Sequence, residues 1–176
     1  FYVRIAAVFI AFIGVSLFYY LRKDAGADGQ IHIASTDAQI NHIMPDSSRI
    51  QLAENSEIIY DENYNAGNRN IKLTGKAVIN VDDEGNGKLI INAGETFIED
   101  IGTVFTVDAY PDSAYIYVTV ESGKVLFYTT DNKGIELIAG ETGTYNKISK
   151  LFDKVQDVVE QNPDVDLIIF NATPLS

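Results

Sequence analysis

The 176-residue chain is 46% hydrophobic, carries 25 acidic against 13 basic residues for a formal net charge of −12, and has no cysteine. Three of the basic residues, Arg4, Arg22 and Lys23, precede Asp24, whereas every acidic residue lies from Asp24 onward, so that part alone carries −15. A surface this acidic repels phosphate backbones and argues against direct nucleic-acid binding, and the missing cysteines exclude disulfides, thiol catalysis and Cys-zinc sites.

The first element is a membrane segment. Ile5 to Leu21 contains no charge and only Gly14 and Ser16 interrupt the apolar run. Roughly 20 apolar residues span a bilayer, and Tyr19, Tyr20, Arg22 and Lys23 suit its interface. The run is longer than a signal-peptide core and no Ala-x-Ala-like site follows it, so residues 1–23 are read as a retained transmembrane helix. The chain begins with Phe1 inside this run, which predicts a fragment. Residues 24–30 (Asp-Ala-Gly-Ala-Asp-Gly-Gln) are small and polar and read as a flexible tether.

Residues 31–147 read as a β domain. Ten tyrosines and nine phenylalanines without a tryptophan suit pleated, half-buried surfaces. Alternation runs from Ile31 to Ile43, Met44-Pro-Asp-Ser-Ser48 is a turn, and Arg49–Leu52 and Glu57–Tyr60 are short strands. A weak internal repeat follows. Ile71 to Ile79 and Leu89 to Thr96 resemble Val118 to Leu126 and Glu136 to Thr142. Each copy gives a strand ending in Thr/Ser-Gly-Lys and another ending in Ala-Gly-Glu-Thr. The paired glycines lie 48 (Gly75, Gly123) and 46 (Gly94, Gly140) residues apart. Between the copies, Gly102 precedes an alternating strand through Phe105 and Val107 and is expected at a bend or close backbone approach. Short strands at this spacing predict an all-β fold: a sandwich, a jelly roll or a short β-solenoid.

Residues 148–176 read as the start of a truncated α+β unit. Ile148, Leu151, Phe152, Val155, Val158 and Val159 follow helical spacing, Asn162-Pro163 ends the pattern, and Asp166–Phe170 is an apolar strand. Thr173-Pro174 resembles the start of a further helix.

Candidate chemistry is sparse. Asp82-Asp-Glu-Gly-Asn-Gly87 begins like a calcium loop, but Ala93 stands where the bidentate carboxylate belongs, and a hairpin turn is the better reading. Glu95 and Glu141 hold equivalent places in the two Ala-Gly-Glu-Thr turns and could form a carboxylate pair, although polar turn tips are the commoner use. His32 and His42 lack a nucleophile or second ligand at motif spacing. No catalytic residue, metal site or cofactor is assigned, and no enzymatic activity is expected.

Several blocks together carry a resemblance: Met44-Pro45-Asp46-Ser-Ser-Arg49-Ile-Gln-Leu52, Asn68-Arg-Asn-Ile-Lys-Leu73-Thr-Gly75, Ile101-Gly102-Thr103-Val-Phe105-Thr-Val107, Val118-Thr-Val-Glu-Ser-Gly123-Lys-Val125, and Gly140-Glu141 with Tyr145. In order and spacing they resemble the FecR family of single-pass transmembrane sigma-factor regulators, and the tail Leu167–Leu175 resembles the short C-terminal domain of Bacteroidota-type members. The resemblance implies three things. An extracytoplasmic-function sigma factor is held through a cytoplasmic N-terminal region, an outer-membrane TonB-dependent transporter is sensed through the periplasmic region, and the anchor lies in a bacterial inner membrane. It also implies a strand near 148–159, where the spacing implies a helix. Ser47 stands where the family usually has glycine, which predicts a reshaped turn, and Gly75-Lys-Ala-Val-Ile79 replaces the usual Gly-Glu-Ala and two aromatics. Two other classes share the outline. One is a lipid-handling module of the lipopolysaccharide-export type, which requires an open apolar groove between the β layers. The other is a glycan-binding domain with exposed aromatics, for which Tyr110, Tyr115, Tyr117 and Tyr128 are candidates.

Overall fold

A computed structural model describes residues 29–64, 68–82, 87–100 and 102–156. The expected membrane helix, most of the tether and the tail beyond Gln156 lie outside the described residues, as does most of the Asp82–Gly87 loop.

The described residues form thirteen strands and no helix. In chain order these are β1 (Gln30–Ser35), β2 (Ile40–Ile43), β3 (Arg49–Leu52), β4 (Ser56–Asp61), β5 (Asn70–Asn80), β6 (Leu89–Ala93) and β7 (Thr96–Asp100). There follow β8 (Val104–Ala109), β9 (Tyr115–Ser122), β10 (Lys124–Thr129), β11 (Ile135–Ile138), β12 (Glu141–Asn146) and β13 (Phe152–Gln156). One layer runs β1-β4-β5-β6-β7-β10-β11 and the other β2-β3-β5-β8-β9-β12-β13, with β5 common to both. Every pairing is antiparallel except β5 with β6. That pattern is a folded sheet enclosing one core, and it differs from a solenoid, whose coils stack in parallel.

The layers follow from the alternation of the sequence. In β6, Leu89, Ile91 and Ala93 are buried while Ile90 and Asn92 are half-exposed; in β9, Ile116, Val118 and Val120 are buried while Tyr115 and Tyr117 stand outside. Period-two side chains put one set of residues on each face, so each layer has one apolar inner face. The two inner faces meet in a common core in which Phe105 and Phe127 are the largest fully buried side chains. The space between the layers is filled by these side chains.

β5 is the hinge of the architecture. Its first part, Asn70–Leu73, pairs with β6, and its second, Gly75–Asn80, pairs with β8 in the other layer. The expectation that the strand ends in Thr74-Gly75-Lys76 is corrected: it runs on to Asn80, and Gly75 bends it. Gly75 has φ +89, and a Cβ there would strike the Ser56 side chain and approach the Asn55 carbonyl to 2.8 Å. Only glycine accepts this conformation and this contact without strain.

The C-terminal segment, open between a helix from its spacing and a strand from the resemblance, forms a strand over Phe152–Gln156. The helical spacing is not realised: Phe152–Gln156 pairs antiparallel with Glu141–Tyr145, so the sheet continues past residue 147. Phe152 packs edge-on against Phe127, with ring centroids 5.0 Å apart, and lies 4.8 Å from the Tyr145 ring. These contacts outweigh the local periodicity, which leaves Ile148 and Leu151 82% and 65% exposed.

Candidate functional site

The residues singled out from the sequence lie at or beside turns, bends and corners of the strands. The first is the β2–β3 turn. Met44 and Ser48 close a three-residue loop, with Ser48 C=O accepting from Met44 N–H at 2.8 Å and Met44 C=O accepting from Ser47 N–H at 3.0 Å. Pro45 opens this loop, and Asp46 turns inward. Arg49 and Leu52 sit at the two ends of β3, exposed and buried respectively. Ser47 has φ +71, so the left-handed conformation is retained and the expected reshaping of the turn does not occur.

Asp46 is the centre of a buried ionic hub. Its carboxylate lies 2.6 Å from Arg69, and the two side chains are 0% and 1% exposed. Oδ2 also accepts from the Tyr64 hydroxyl at 3.0 Å, and Oδ1 from Ser48 N–H at 3.0 Å. Arg69 uses its remaining donors on Gly87 C=O at 2.8 Å and Asp82 C=O at 3.2 Å. A buried carboxylate tends to neutralise, but here the Arg69, Ser48 and Tyr64 hydrogen bonds overcome that desolvation and hold Asp46 below the ordinary carboxylate range. Burial and the adjacent Asp46 charge push the Tyr64 hydroxyl well above its ordinary value. The hub is therefore a fixed ion pair with its donors directed inward, which ties the β2–β3 turn to the start of β5 and to the β5–β6 connection. It is not arranged for proton transfer at neutral pH.

The others are glycine bends and corners. Leu73 is buried one turn of the pleat before Gly75. Gly102 has φ +77 where the chain leaves β7 in one layer for β8 in the other, which is the bend expected of it. Thr103 follows, buried, and Phe105 and Val107 fill the core from β8. Gly123 has φ +82 where the chain leaves β9 for β10, in the opposite sense. The two corners touch: a Cβ on Gly123 would fall on the Thr103 methyl. Val125 enters the core directly after this corner. Gly140, with φ +81, makes the β11–β12 corner ahead of Glu141.

Glu95 and Glu141 are not a carboxylate pair; each is engaged separately by the C-terminal hairpin. Glu95 binds Lys150 at 2.6 Å and the Tyr145 hydroxyl at 3.2 Å. Glu141 accepts from Ile138 N–H at 2.9 Å and pairs with Lys154 at 2.9 Å. Both carboxyls are held below their ordinary value, Glu95 chiefly by Lys150 and Glu141 chiefly by the Ile138 amide and then Lys154. Among the described residues no three histidine, cysteine or acidic side chains cluster as metal ligands would.

Arg69, Tyr64 and the two lysines carry much of this arrangement, yet sequence reasoning assigned them no role. A lone arginine just ahead of a strand whose inner face is wholly apolar is a usable signal for Arg69. Nothing in the sequence marks Tyr64 as its neighbour.

No curated protein matches the sequence. Two crystal structures of a candidate anti-sigma factor from Parabacteroides distasonis ATCC 8503 share the fold, with TM-scores of 0.68 and 0.67 at 19% and 20% identity. They cover 73% and 72% of this chain, which spans 60% of the length of each. The FecR protein family matches residues 31–126, a stretch that holds the ionic hub and the glycine corners at 75, 102 and 123, and the chain belongs to that family.

Proposed function

We propose that this protein regulates a sigma factor, and that it does so as a membrane-anchored relay. In this reading residues 1–23 cross the bacterial inner membrane, the β domain stands in the periplasm, and an extracytoplasmic-function sigma factor is held by sequence on the cytoplasmic side. The periplasmic face would answer to an outer-membrane TonB-dependent transporter. The observation that carries the reading is the FecR match over residues 31–126, on a fold shared with a candidate anti-sigma factor. The site is compatible with it, because the hub and the corners tie the strands of both layers together behind the outer surfaces. A relay needs an outer partner to shift an equilibrium that the inner partner feels.

The lipid-handling alternative requires an apolar groove open between the layers, and Phe105, Phe127 and the aliphatic residues around them occupy that space. The test has two arms. An alkaline phosphatase fused after Gly29 should be active and a cytoplasmic reporter at the same point silent. The full-length protein should co-purify with a sigma factor whose transcription changes on its deletion. Reversed reporter activity, or no associated sigma factor, overturns the proposal.

A further inference from the structure

The outer face of the β1-β4-β5-β6-β7-β10-β11 layer holds an open groove of about 760 Å³. Its lining follows one transverse row of the sheet. Ile59 pairs with Lys72, Lys72 with Asn92, Asn92 with Phe97, and Phe97 with Tyr128, so five side chains from five adjacent strands stand side by side. Strands lie about 4.8 Å apart, so the row is about 19 Å long. At one end Phe97 and Tyr128 stack at 5.5 Å with their planes 27° apart. Along the middle, the side chains of Asn70, Lys72 and Asn92 make no hydrogen bond or ion pair among the described residues. Lys72 is unlike Lys76, Lys88, Lys124, Lys150 and Lys154, each of which has a carboxylate partner.

We propose that this groove is a binding site for an oligosaccharide, with the Phe97–Tyr128 stack taking the apolar face of a sugar ring and Asn70, Lys72 and Asn92 bonding its hydroxyl or amide groups. Three features favour this ligand class. An extended peptide recognised through its main chain needs a free strand edge, whereas β5, β6 and β7 are hydrogen-bonded on both sides here. A lipid tail would bury the uncompensated amides and ammonium of the floor, at a desolvation penalty. A nucleic acid meets a region of charge −15. A saccharide instead combines flat C–H surface with many hydroxyls, which matches an aromatic stack beside unpartnered amides. The site does not depend on the relay reading, since its residues lie on the sheet face and take no part in the hub or the corners.

The test is calorimetric titration of the intact chain with cellotetraose, chitotetraose and tetragalacturonate. At least one should bind, and Tyr128→Ala or Phe97→Ala should weaken that binding tenfold or more, while Tyr117→Ala on the other layer should leave it unchanged. Asn92→Ala, which removes only a half-exposed amide, should weaken it several-fold with an unaltered melting curve, so the proposal stays testable if an aromatic variant fails to fold. Failure of all three saccharides to bind, or binding that survives Asn92→Ala and Tyr128→Ala alike, overturns it.

Discussion

The Thr103 methyl occupies the position that a Cβ on Gly123 would need, so the two layer-crossing corners of the fold lock into one another. Gly123→Ala meets both that methyl and a left-handed φ of +82, and the expected loss is about 1–3 kcal/mol, read from chemical denaturation. Combining it with Thr103→Ser, which removes the methyl and keeps the hydroxyl, should recover part of the loss. If the double variant is no more stable than the single one, the corners do not touch in solution.

The buried Asp46–Arg69 pair gives a sharper expectation. Arg69→Met strands a carboxylate at 0% exposure, and breaking a buried pair from one side costs about 3–5 kcal/mol. Replacing both partners, Asp46→Leu with Arg69→Met, should cost clearly less than the sum of the single changes, because no charge is then left unpaired. Additive losses in a double-mutant cycle would show that the hub acts through packing alone.

Ser47 holds φ +71 in the turn beside that hub, a conformation glycine adopts freely and other L-residues adopt under strain. Ser47→Gly relieves the strain and gives back some unfolded-state entropy, for a net gain of about 0.5–1 kcal/mol. A loss of stability instead would mean that the Ser47 side chain has a role its exposed position does not suggest.

The strands were legible in the sequence because burial on one face imposes alternation, and Ile116, Val118 and Val120 against Tyr115, Tyr117 and Thr119 is that signature. Gly102 was legible as a bend. The layers themselves were not. The 48-residue repeat aligns Gly75 with Gly123, yet one bends a continuous strand and the other separates two, and they cross between layers in opposite senses. Which neighbour each half-strand finds depends on pairing across tens of residues, and short-range pattern carries no record of it. The same holds for Asp46 and Arg69, 23 residues apart. The segment after Asn146 misled for a related reason: Phe152 and Val155 fit a helix stripe, but docking of Phe152 against Phe127 and Tyr145 decides the conformation.

Stability should fall in two steps as pH is lowered. Burial holds the His42 imidazole below its ordinary value of 6.5. The unfolded chain therefore takes up that proton first, and the stability His42 confers is present above about 6.5 and lost as pH falls through its folded value. Asp46, Glu95 and Glu141 are likewise held low, so their contribution is present above about 4.5 and lost only as pH falls through their own folded values. His42→Gln should abolish the upper step in thermal melts and leave the lower one. An unchanged upper step assigns it to another group.

The C-terminal hairpin separates folding from signalling in the proposed relay. Lys150 and Lys154 pair with Glu95 and Glu141, the two glutamates at equivalent places in the repeat, and Phe152 closes the core between Phe127 and Tyr145. A truncation after Tyr145 removes all of these contacts at once and should lower the melting temperature by several degrees. A lost response in that variant would therefore say nothing about signalling. Truncation after Gln156 keeps β13 and its ion pairs, and its β domain should melt as the parent does. In the full-length protein, removal of the sequence after Gln156 should then uncouple sigma-dependent transcription from the transporter's ligand while the membrane fraction retains the protein. A normal transcriptional response in the variant cut after Gln156 would place the outer contact on the β domain itself and remove the C-terminal segment from the relay.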